Sequence, residues 1–315
     1  MFVSYRNLTA LAALCLAIVV FSLAMKISRS RSEHSQVVAS EPSILNWSST
    51  PEASFYGPAV ATNVSAKSVK PSVPVVTALA YLVGNVSTGQ ILMEKKDTAV
   101  LPVASMSKLI TAIAAIDTMT PTTTILITEQ EAEVASDTSM LTSGESFTVS
   151  ELLYPLLLNS SNVAAEALAS SSDRGRFLEL MPSYAWEVGM PSTFFADPSG
   201  LSPRNISTAK DFFALAEYLY KSRPDILAIS RTAHFAVGTT TLHNAHDFVS
   251  IHPFIANKDF LGGKTGHTTE AGDTMLTIMN IAGQPIAFIV LGSKTGGRAG
   301  DTQLLIDEYK KSLSN

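Results

Sequence analysis

The sequence has little cysteine and little charge for its length. It contains 1 cysteine among 315 residues, and that residue, Cys15, lies in an apolar N-terminal stretch. Disulfides and cysteine chemistry are therefore excluded from the rest of the chain. Charged residues make up 16% of the sequence, the net charge is −5 and no long basic run occurs. We therefore expect no nucleic acid partner.

The first 74 residues do not have the composition of a folded domain. Residues 8–25 carry no charge and are mostly Leu, Ala, Val and Ile, which is long enough to span a bilayer. We predict a retained signal-anchor with one transmembrane helix in residues 1–33; a cleaved signal peptide ending near Ala24 is the alternative. Residues 34–74 are rich in Ser, Pro, Val and Asn without a stable period, which predicts a flexible linker.

From residue 75 to residue 315 the composition becomes that of a single globular domain. Turn residues and apolar patterning predict strands at residues 78–86, 90–94, 274–280 and 285–292. Helical patterns are predicted from residue 102 to 121 and at residues 128–142, 150–169, 211–221 and 301–313. Strands at both ends with helices between them indicate an α+β fold, with an antiparallel β-sheet flanked by helices.

The helix predicted after Pro102 carries a candidate nucleophile and its base. Ser105 and Lys108 are three residues apart, so their side chains meet on one helix face. A serine hydroxyl needs an adjacent base, and an apolar surround would lower the lysine pKa towards a usable value. Such a pair also arises by chance about once in a chain of this size. The chain contains a decoy of this kind, Ser207 to Lys210.

Two further short motifs accompany the first pair. Ser160-Ser161-Asn162 lies in an apolar helical run, and Lys264-Thr265-Gly266 is followed by His267. A second Lys-Thr-Gly, at residues 294–296, follows a predicted strand and is assigned to a loop. Together, Ser-x-x-Lys, a Ser-Asp-Asn type motif and Lys-Thr-Gly form the active-site set of penicillin-binding proteins and class A β-lactamases.

On these motifs, residues 78–313 resemble a serine-type D-Ala-D-Ala carboxypeptidase, a low-molecular-mass penicillin-binding protein. The resemblance implies the β-lactamase/transpeptidase-like fold, in which an all-helical subdomain packs beside the sheet. It also implies a role for each motif residue and requires no cofactor and no metal. The implied roles are nucleophile for Ser105, base for Lys108, proton relay for Ser160, contact with the substrate amide and Lys108 for Asn162, carboxylate binding for Lys264 and Thr265, close substrate approach at Gly266, and oxyanion contacts from the backbone N–H groups of Ser105 and His267.

The resemblance also implies partners and a location. The expected reaction removes the terminal D-alanine from peptidoglycan stem peptides through an acyl-enzyme, and β-lactams would acylate the same serine. A wall substrate places the catalytic domain outside the cytoplasm, held at the cell membrane by the single N-terminal helix. Two departures from the family pattern, Val163 and the segment of residues 243–247, would alter substrate fit rather than chemistry.

Other functions remain open at this stage. An endopeptidase cutting D,D cross-links would use the same site, and an inactive membrane-tethered module could bind wall peptide or penicillin without turnover. A β-lactamase needs a glutamate between the second and third motifs, and Glu179 and Glu187 lie in that interval. A metal-dependent peptidase would require the short-spaced histidines to act as ligands, and these are more simply loop residues. The histidine cluster comprises His243, His246 and His252, with Asp247 beside them.

Overall fold

A computed structural model of the chain describes residues 75–135, 137, 139–237 and 246–314. Within these ranges, no helix combines the length and hydropathy that crossing a membrane requires. The predicted anchor at residues 8–25 and the predicted linker at residues 34–74 lie outside the described part of the chain.

A five-stranded antiparallel sheet forms the centre of the domain. Its strands are β1 (Ala80–Asn85), β2 (Gln90–Lys95), β9 (Phe260–Thr268), β10 (Gly272–Ile281) and β11 (Gln284–Ser293). They lie in the order β2-β1-β11-β10-β9, so the first strands of the domain pair with its last ones. The sheet brings β9, at its edge, to the helical part of the molecule.

In the described part of the chain, three short two-stranded ribbons connect the remaining segments. The first ribbon joins the segment before Ser105 to the middle of the chain, and the second precedes the second motif. The third follows the helices and precedes β9. The ribbons pair β3 (Leu101–Pro102) with β6 (Ile206–Ser207), β4 (Thr124–Leu126) with β5 (Ser146–Thr148), and β7 (His234–Val237) with β8 (His246–Val249).

Helices cover the sheet and form a subdomain beside it. Every residue of β1 is buried, as expected for a central strand covered on both faces. One face packs on the C-terminal helix through Leu305, Ile306 and Tyr309. The helices are α1 (Lys108–Thr118), α2 (Glu129–Ala132), α3 (Val149–Leu157), α4 (Asn162–Ser170), α5 (Arg174–Glu187), α6 (Ala209–Ser222), α7 (Pro224–Ser230) and α8 (Arg298–Leu313).

Helix α1 is the central helix of the subdomain. All its residues from Lys108 to Ala115 are buried, whereas its last turn reaches the surface at Asp117 and Thr118. It packs against α3, α4, α5 and α7. The first two turns are therefore surrounded by other elements, and Lys108 at the first position is shielded from solvent.

Several predicted elements are confirmed, and others are wrong. Both hairpins, the helix at residues 211–221 and the C-terminal helix are present. The predicted helix at 128–142 is only the four residues of α2, and the predicted helix at 150–169 is two helices. Pro102 lies in a strand rather than at a helix start. Ser161 accounts for the divided helix, because its Oγ caps α4 by accepting from the Ala164 N–H.

Candidate active site

Ser105 lies in a tight 3₁₀ turn, residues Ala104–Ser107, immediately before α1. The sequence predicted it in the first turn of the α-helix itself. Ala104 has a φ of +50°, which is uncommon for a residue with a side chain. The turn is fixed by the Ser107 hydroxyl, which donates to the Ala104 carbonyl at 2.8 Å and accepts from Asn205 Nδ2 at 3.0 Å. Ser105 therefore sits on a supported turn, with its side chain partly exposed.

Lys108 is completely buried, with 0% of its surface exposed. Its ammonium donates three hydrogen bonds, to Ser105 Oγ at 3.0 Å, Asn162 Oδ1 at 2.7 Å and the Ser199 carbonyl at 2.6 Å. Burial lowers its pKa from 10.5 to about 7, against the opposing charges of Asp197, Asp137 and Glu166. At neutral pH a large share of the molecules therefore carries an uncharged amine next to the Ser105 hydroxyl.

Ser160 and Lys264 form a second hydroxyl and amine pair. Lys264 Nζ donates to Ser160 Oγ at 2.8 Å and to the Thr265 carbonyl at 2.9 Å. Burial lowers the pKa of Lys264 well below 10.5, and the charges of Lys108 and Arg298 lower it further. Ser160 has a φ of +65° and lies in the gap between α3 and α4. A strained residue of this kind is common at functional sites.

Strand β9 places the third motif beside the serine turn. A Cβ atom on Gly266 would lie 3.0 Å from the Ser105 nitrogen and 2.9 Å from the Val103 carbonyl oxygen. Only glycine allows this approach, which also brings the backbone of the strand towards Ser105. Thr274, opposite Gly266 on β10, donates from Oγ1 to the same Val103 carbonyl at 3.0 Å. Thr265 is buried and His267 is exposed.

A loop between α5 and α6 supports the base from the other side. The Asp197 carboxylate accepts from the N–H groups of Ser199 at 2.8 Å, Gly200 at 2.6 Å and Ser202 at 2.6 Å. This arrangement aims the Ser199 carbonyl at Lys108. Gly200 has a φ of +88°, and a Cβ there would lie 2.0 Å from the Ala104 carbonyl oxygen. The loop therefore packs directly on the serine turn.

The structure adds Arg298 and Asp273, which sequence reasoning missed. Arg298, at the start of α8, donates from Nη1 to the Gly266 carbonyl at 2.8 Å and lies 3.8 Å from Asp273 Oδ1. Asp273 Oδ1 also lies 2.8 Å from His267 Nδ1. The cross-strand register of Asp273 and His267 could have suggested their contact. No sequence signal placed Arg298 beside the third motif.

The structure thus places the three motifs, and with them all eight predicted residues, next to one another, and the decoys lie elsewhere. Thr208 caps α6, Lys210 is exposed, and residues 294–296 form an exposed loop. His252 is a buried core residue whose Nε2 lies 3.2 Å from the Leu276 carbonyl. His243 and the side chains of His246 and Asp247 lie outside the described residues.

A serine hydroxyl in contact with a buried amine of lowered pKa, with a second hydroxyl and amine pair in the same site, is the arrangement expected of a serine hydrolase. The sequence profile of the D-alanyl-D-alanine carboxypeptidase family matches residues 67–295. The chain belongs to that family and is a serine-type D,D-peptidase. The sequence prediction of family and α+β fold is confirmed.

Individual relatives carry two names. The D-alanyl-D-alanine endopeptidase of Pseudomonas aeruginosa is 31% identical over 75% of this chain and 79% of its own length. The D-alanyl-D-alanine carboxypeptidase DacC of Escherichia coli is 27% identical over 70% of this chain and 58% of its own length.

Solved structures share the fold. Penicillin-binding protein D2 of Listeria monocytogenes in its cefotaxime-bound form has a TM-score of 0.67 and 27% identity, covering 76% of this chain and 98% of that one. A putative penicillin-binding protein homologue from Mycobacterium tuberculosis has a TM-score of 0.71 at 23% identity, covering 76% and 94% of the two chains.

Proposed function

We propose that the chain is a serine D-Ala-D-Ala carboxypeptidase that releases the terminal D-alanine from peptidoglycan stem peptides. The observation that carries the proposal is the 3.0 Å contact of Ser105 Oγ with a buried Lys108 whose pKa is about 7. An amine with this pKa can accept the serine proton near neutral pH.

Acylation follows from this geometry. Neutral Lys108 takes the Ser105 proton as Oγ attacks the carbonyl of the penultimate residue. The backbone N–H groups of Ser105 and His267 would hold the developing oxyanion, and losing one such donor typically costs about 3–4 kcal/mol. The close approach at Gly266 supports this role, because it brings β9 beside the Ser105 nitrogen.

Proton delivery to the leaving group would use the second pair. Ser160 would pass a proton from Lys264 to the departing amine of D-alanine, and the C–N bond breaks as the acyl-enzyme forms. Lys108 would then pass the proton that it took from Ser105 to Lys264, so that both amines return to their starting states. Water would attack the acyl-enzyme and give a proton to Lys108, which would pass it to Ser105 Oγ as the ester bond breaks. Asn162 would hold the substrate amide while keeping its contact with Lys108.

The carboxylate of the terminal residue would be bound by Lys264, Thr265 and Arg298. Arg298 would supply a guanidinium, Thr265 a hydroxyl and Lys264 an amine whose charged form the bound carboxylate favours, and charge-assisted hydrogen bonds of this kind are the strong ones. A β-lactam presents both a reactive carbonyl and a carboxylate, so we propose that it acylates Ser105. The similarity to a penicillin-binding protein with bound cefotaxime supports this proposal.

An endopeptidase is the second candidate, favoured by the names of relatives. Those from Pseudomonas aeruginosa and Haemophilus influenzae are 31% identical and are named endopeptidases, whereas the carboxypeptidase DacA of Escherichia coli is 24% identical. Both reactions cut after D-alanine, so the same catalytic groups would serve.

A β-lactamase is less consistent with the structure. Glu179 and Glu187 have exposed side chains on α5. The carboxylates that influence Lys108 belong instead to Asp197, Asp137 and Glu166. Glu166 is paired with Arg174 at 2.7 Å, so it is not poised to activate a water for rapid deacylation.

We further propose that the domain acts outside the cytoplasm at the cell membrane, held there by residues 8–25. The proposal is supported by the wall substrate and by the apolar run at the N-terminus. Membrane fractionation with protease treatment of intact cells would test both the anchor and the side on which the domain lies.

The test of function compares substrates on one protein. Penicillin should leave a persistent mass adduct on the protein but not on Ser105→Ala. A pentapeptide should release D-alanine, and a cross-linked stem dimer should be cut slowly or not at all. Faster cutting of the dimer would establish the endopeptidase, rapid penicillin hydrolysis a β-lactamase, and no adduct with no turnover a binding module.

A further inference from the structure

Asp137 belongs to none of the three motifs, yet its carboxylate is built into the second one. Oδ1 accepts from Ser161 Oγ at 2.9 Å, from the Val163 N–H at 3.1 Å and from the Asn162 N–H. Oδ2 accepts from the Ser139 N–H at 2.9 Å and from the Ser139 hydroxyl. Five donors thus converge on one side chain, three of them from a segment that is distant in sequence and two from Ser139 nearby.

Three of these donors belong to the start of α4, which carries the catalytic groups of the second motif. The first N–H groups of a helix have no partner within the helix, so an outside acceptor fixes where the helix begins. Asn162 is the first residue of α4, and Ser160 lies two residues earlier with a φ of +65°. A residue in that conformation persists only when its surroundings hold it.

The same segment also sets the orientation of the Asn162 amide. Asn162 Nδ2 donates to the Ala135 carbonyl at 3.0 Å, and this turns Oδ1 towards Lys108 Nζ at 2.7 Å. Ala135 and Asp137 therefore fix both the backbone and the side chain of Asn162.

We propose that Asp137 is a positioning residue of the peptidase, which holds Ser160 and Asn162 in register with Lys264 and Lys108 through the first turn of α4. This inference rests on the proposed peptidase function, because the experiment that tests it measures acylation of Ser105. Asp137 itself does not contact the reacting atoms in this arrangement.

The charge of Asp137 gives the test a readout that a purely structural role would not move. Its carboxylate raises the pKa of Lys108 against the effect of burial, as do those of Asp197 and Glu166, whereas the charges of Lys108 and Arg298 lower the pKa of Lys264. Removing the charge should lower the Lys108 pKa further. The acid limb of the acylation rate should then move to lower pH.

The experiment measures acylation by a fluorescent penicillin and D-alanine release across pH, using the full chain. Asp137→Asn should reduce both rates roughly 10- to 100-fold, the range that misplacement of a catalytic group produces, and should shift the acid limb downward. Glu133→Gln is the matched control, because it removes an exposed carboxylate from the same part of the chain. It should leave rate and limb unchanged.

Asp137→Glu keeps the charge but displaces the acceptor, so it should slow acylation while leaving the limb in place. It also decides the matter if Asp137→Asn fails to fold. Normal rates in Asp137→Glu and, where it folds, Asp137→Asn would overturn the proposal. The proposal would also be overturned if the acylation rate fell only in proportion to the unfolded fraction seen by circular dichroism, while the acid side of the pH profile stayed in place. An unmutated protein that neither binds penicillin nor releases D-alanine would instead refute the proposed function.

Discussion

The titration of Lys108 should govern how acylation depends on pH. Burial lowers its pKa from 10.5 to about 7, and a difference of this size disfavours the ammonium form by about 5 kcal/mol. At about pH 7.4 roughly 70% of the amine is neutral with the lowered pKa, against roughly 0.1% with the ordinary one. The fraction of Lys108 in the neutral form is therefore about a thousand times that of an exposed lysine.

The assay is the rate of Ser105 acylation by a fluorescent penicillin, followed by stopped flow from about pH 5 to 9. With neutral Lys108 as the proposed base, the rate should rise about tenfold per pH unit on the acid side and level off above about pH 7. Lys108→Arg keeps a cation at every pH in this range, and should lower acylation by roughly 10²–10⁴. Ser105→Ala should form no adduct at any pH.

A flat profile would refute this reasoning, since no group with a pKa near 7 would then control the attack. A rate that still rises steeply at about pH 9 without levelling off would mean that burial does not lower the pKa of Lys108 in solution. Normal acylation by Lys108→Arg would show that another group takes the proton.

Three further predictions follow from the geometry. Ser160→Ala should lower kcat for D-alanine release by roughly 10²–10⁴, because Lys264 loses its 2.8 Å path to the leaving amine; steady-state kinetics with an unchanged melting temperature would check it. Gly200→Ala places a Cβ 2.0 Å from the Ala104 carbonyl oxygen at a φ of +88°, and urea unfolding should show a loss of about 2 kcal/mol or more, with slower acylation. Burial lowers the pKa of His252 to about 3, so its contribution to stability is present above pH 6.5 and is lost as the pH falls towards 3. At about pH 4.5 the loss should be on the order of 2–3 kcal/mol relative to pH 7.5, and thermal unfolding of His252→Gln should lack that part of the acid sensitivity.

The sequence predicted those elements that have a clear local pattern of apolar and turn residues. The hairpins at both ends of the domain alternate or are continuously apolar and are bounded by turn residues, and they form β1, β2, β10 and β11. The three motifs could be predicted because each is short and chemically distinctive. Their assembly into one site depends on the pairing of β3 with β6 and on the edge position of β9. Neither of these long-range features can be predicted from a local sequence pattern.

The wrong helix prediction after α2 and the missed Arg298 have a common cause, which is side chains that bond to residues distant in the sequence. The segment after α2 has helix-like polarity. However, the side chains of Asp137 and Ser139 accept hydrogen bonds from the start of α4 and bond to each other. Such side-chain bonds compete with the formation of a helix. Arg298 was missed for the same kind of reason. Its partner is the Gly266 carbonyl, 32 residues earlier in the chain, and only the folded sheet brings the two together.

At the proposed carboxylate site of Lys264, Thr265 and Arg298, binding of the substrate would affect proton delivery to the leaving group. In the free enzyme burial lowers the pKa of Lys264 first, and the charges of Lys108 and Arg298 lower it further. A bound carboxylate reverses part of that effect, because an opposite charge nearby favours the ammonium. The substrate would thus protonate the amine that Ser160 draws on for the leaving group. A stem peptide ending in D-alaninamide should therefore lose kcat by about tenfold or more, and not only bind more weakly. A change in KM alone would show that the carboxylate serves only as an anchor.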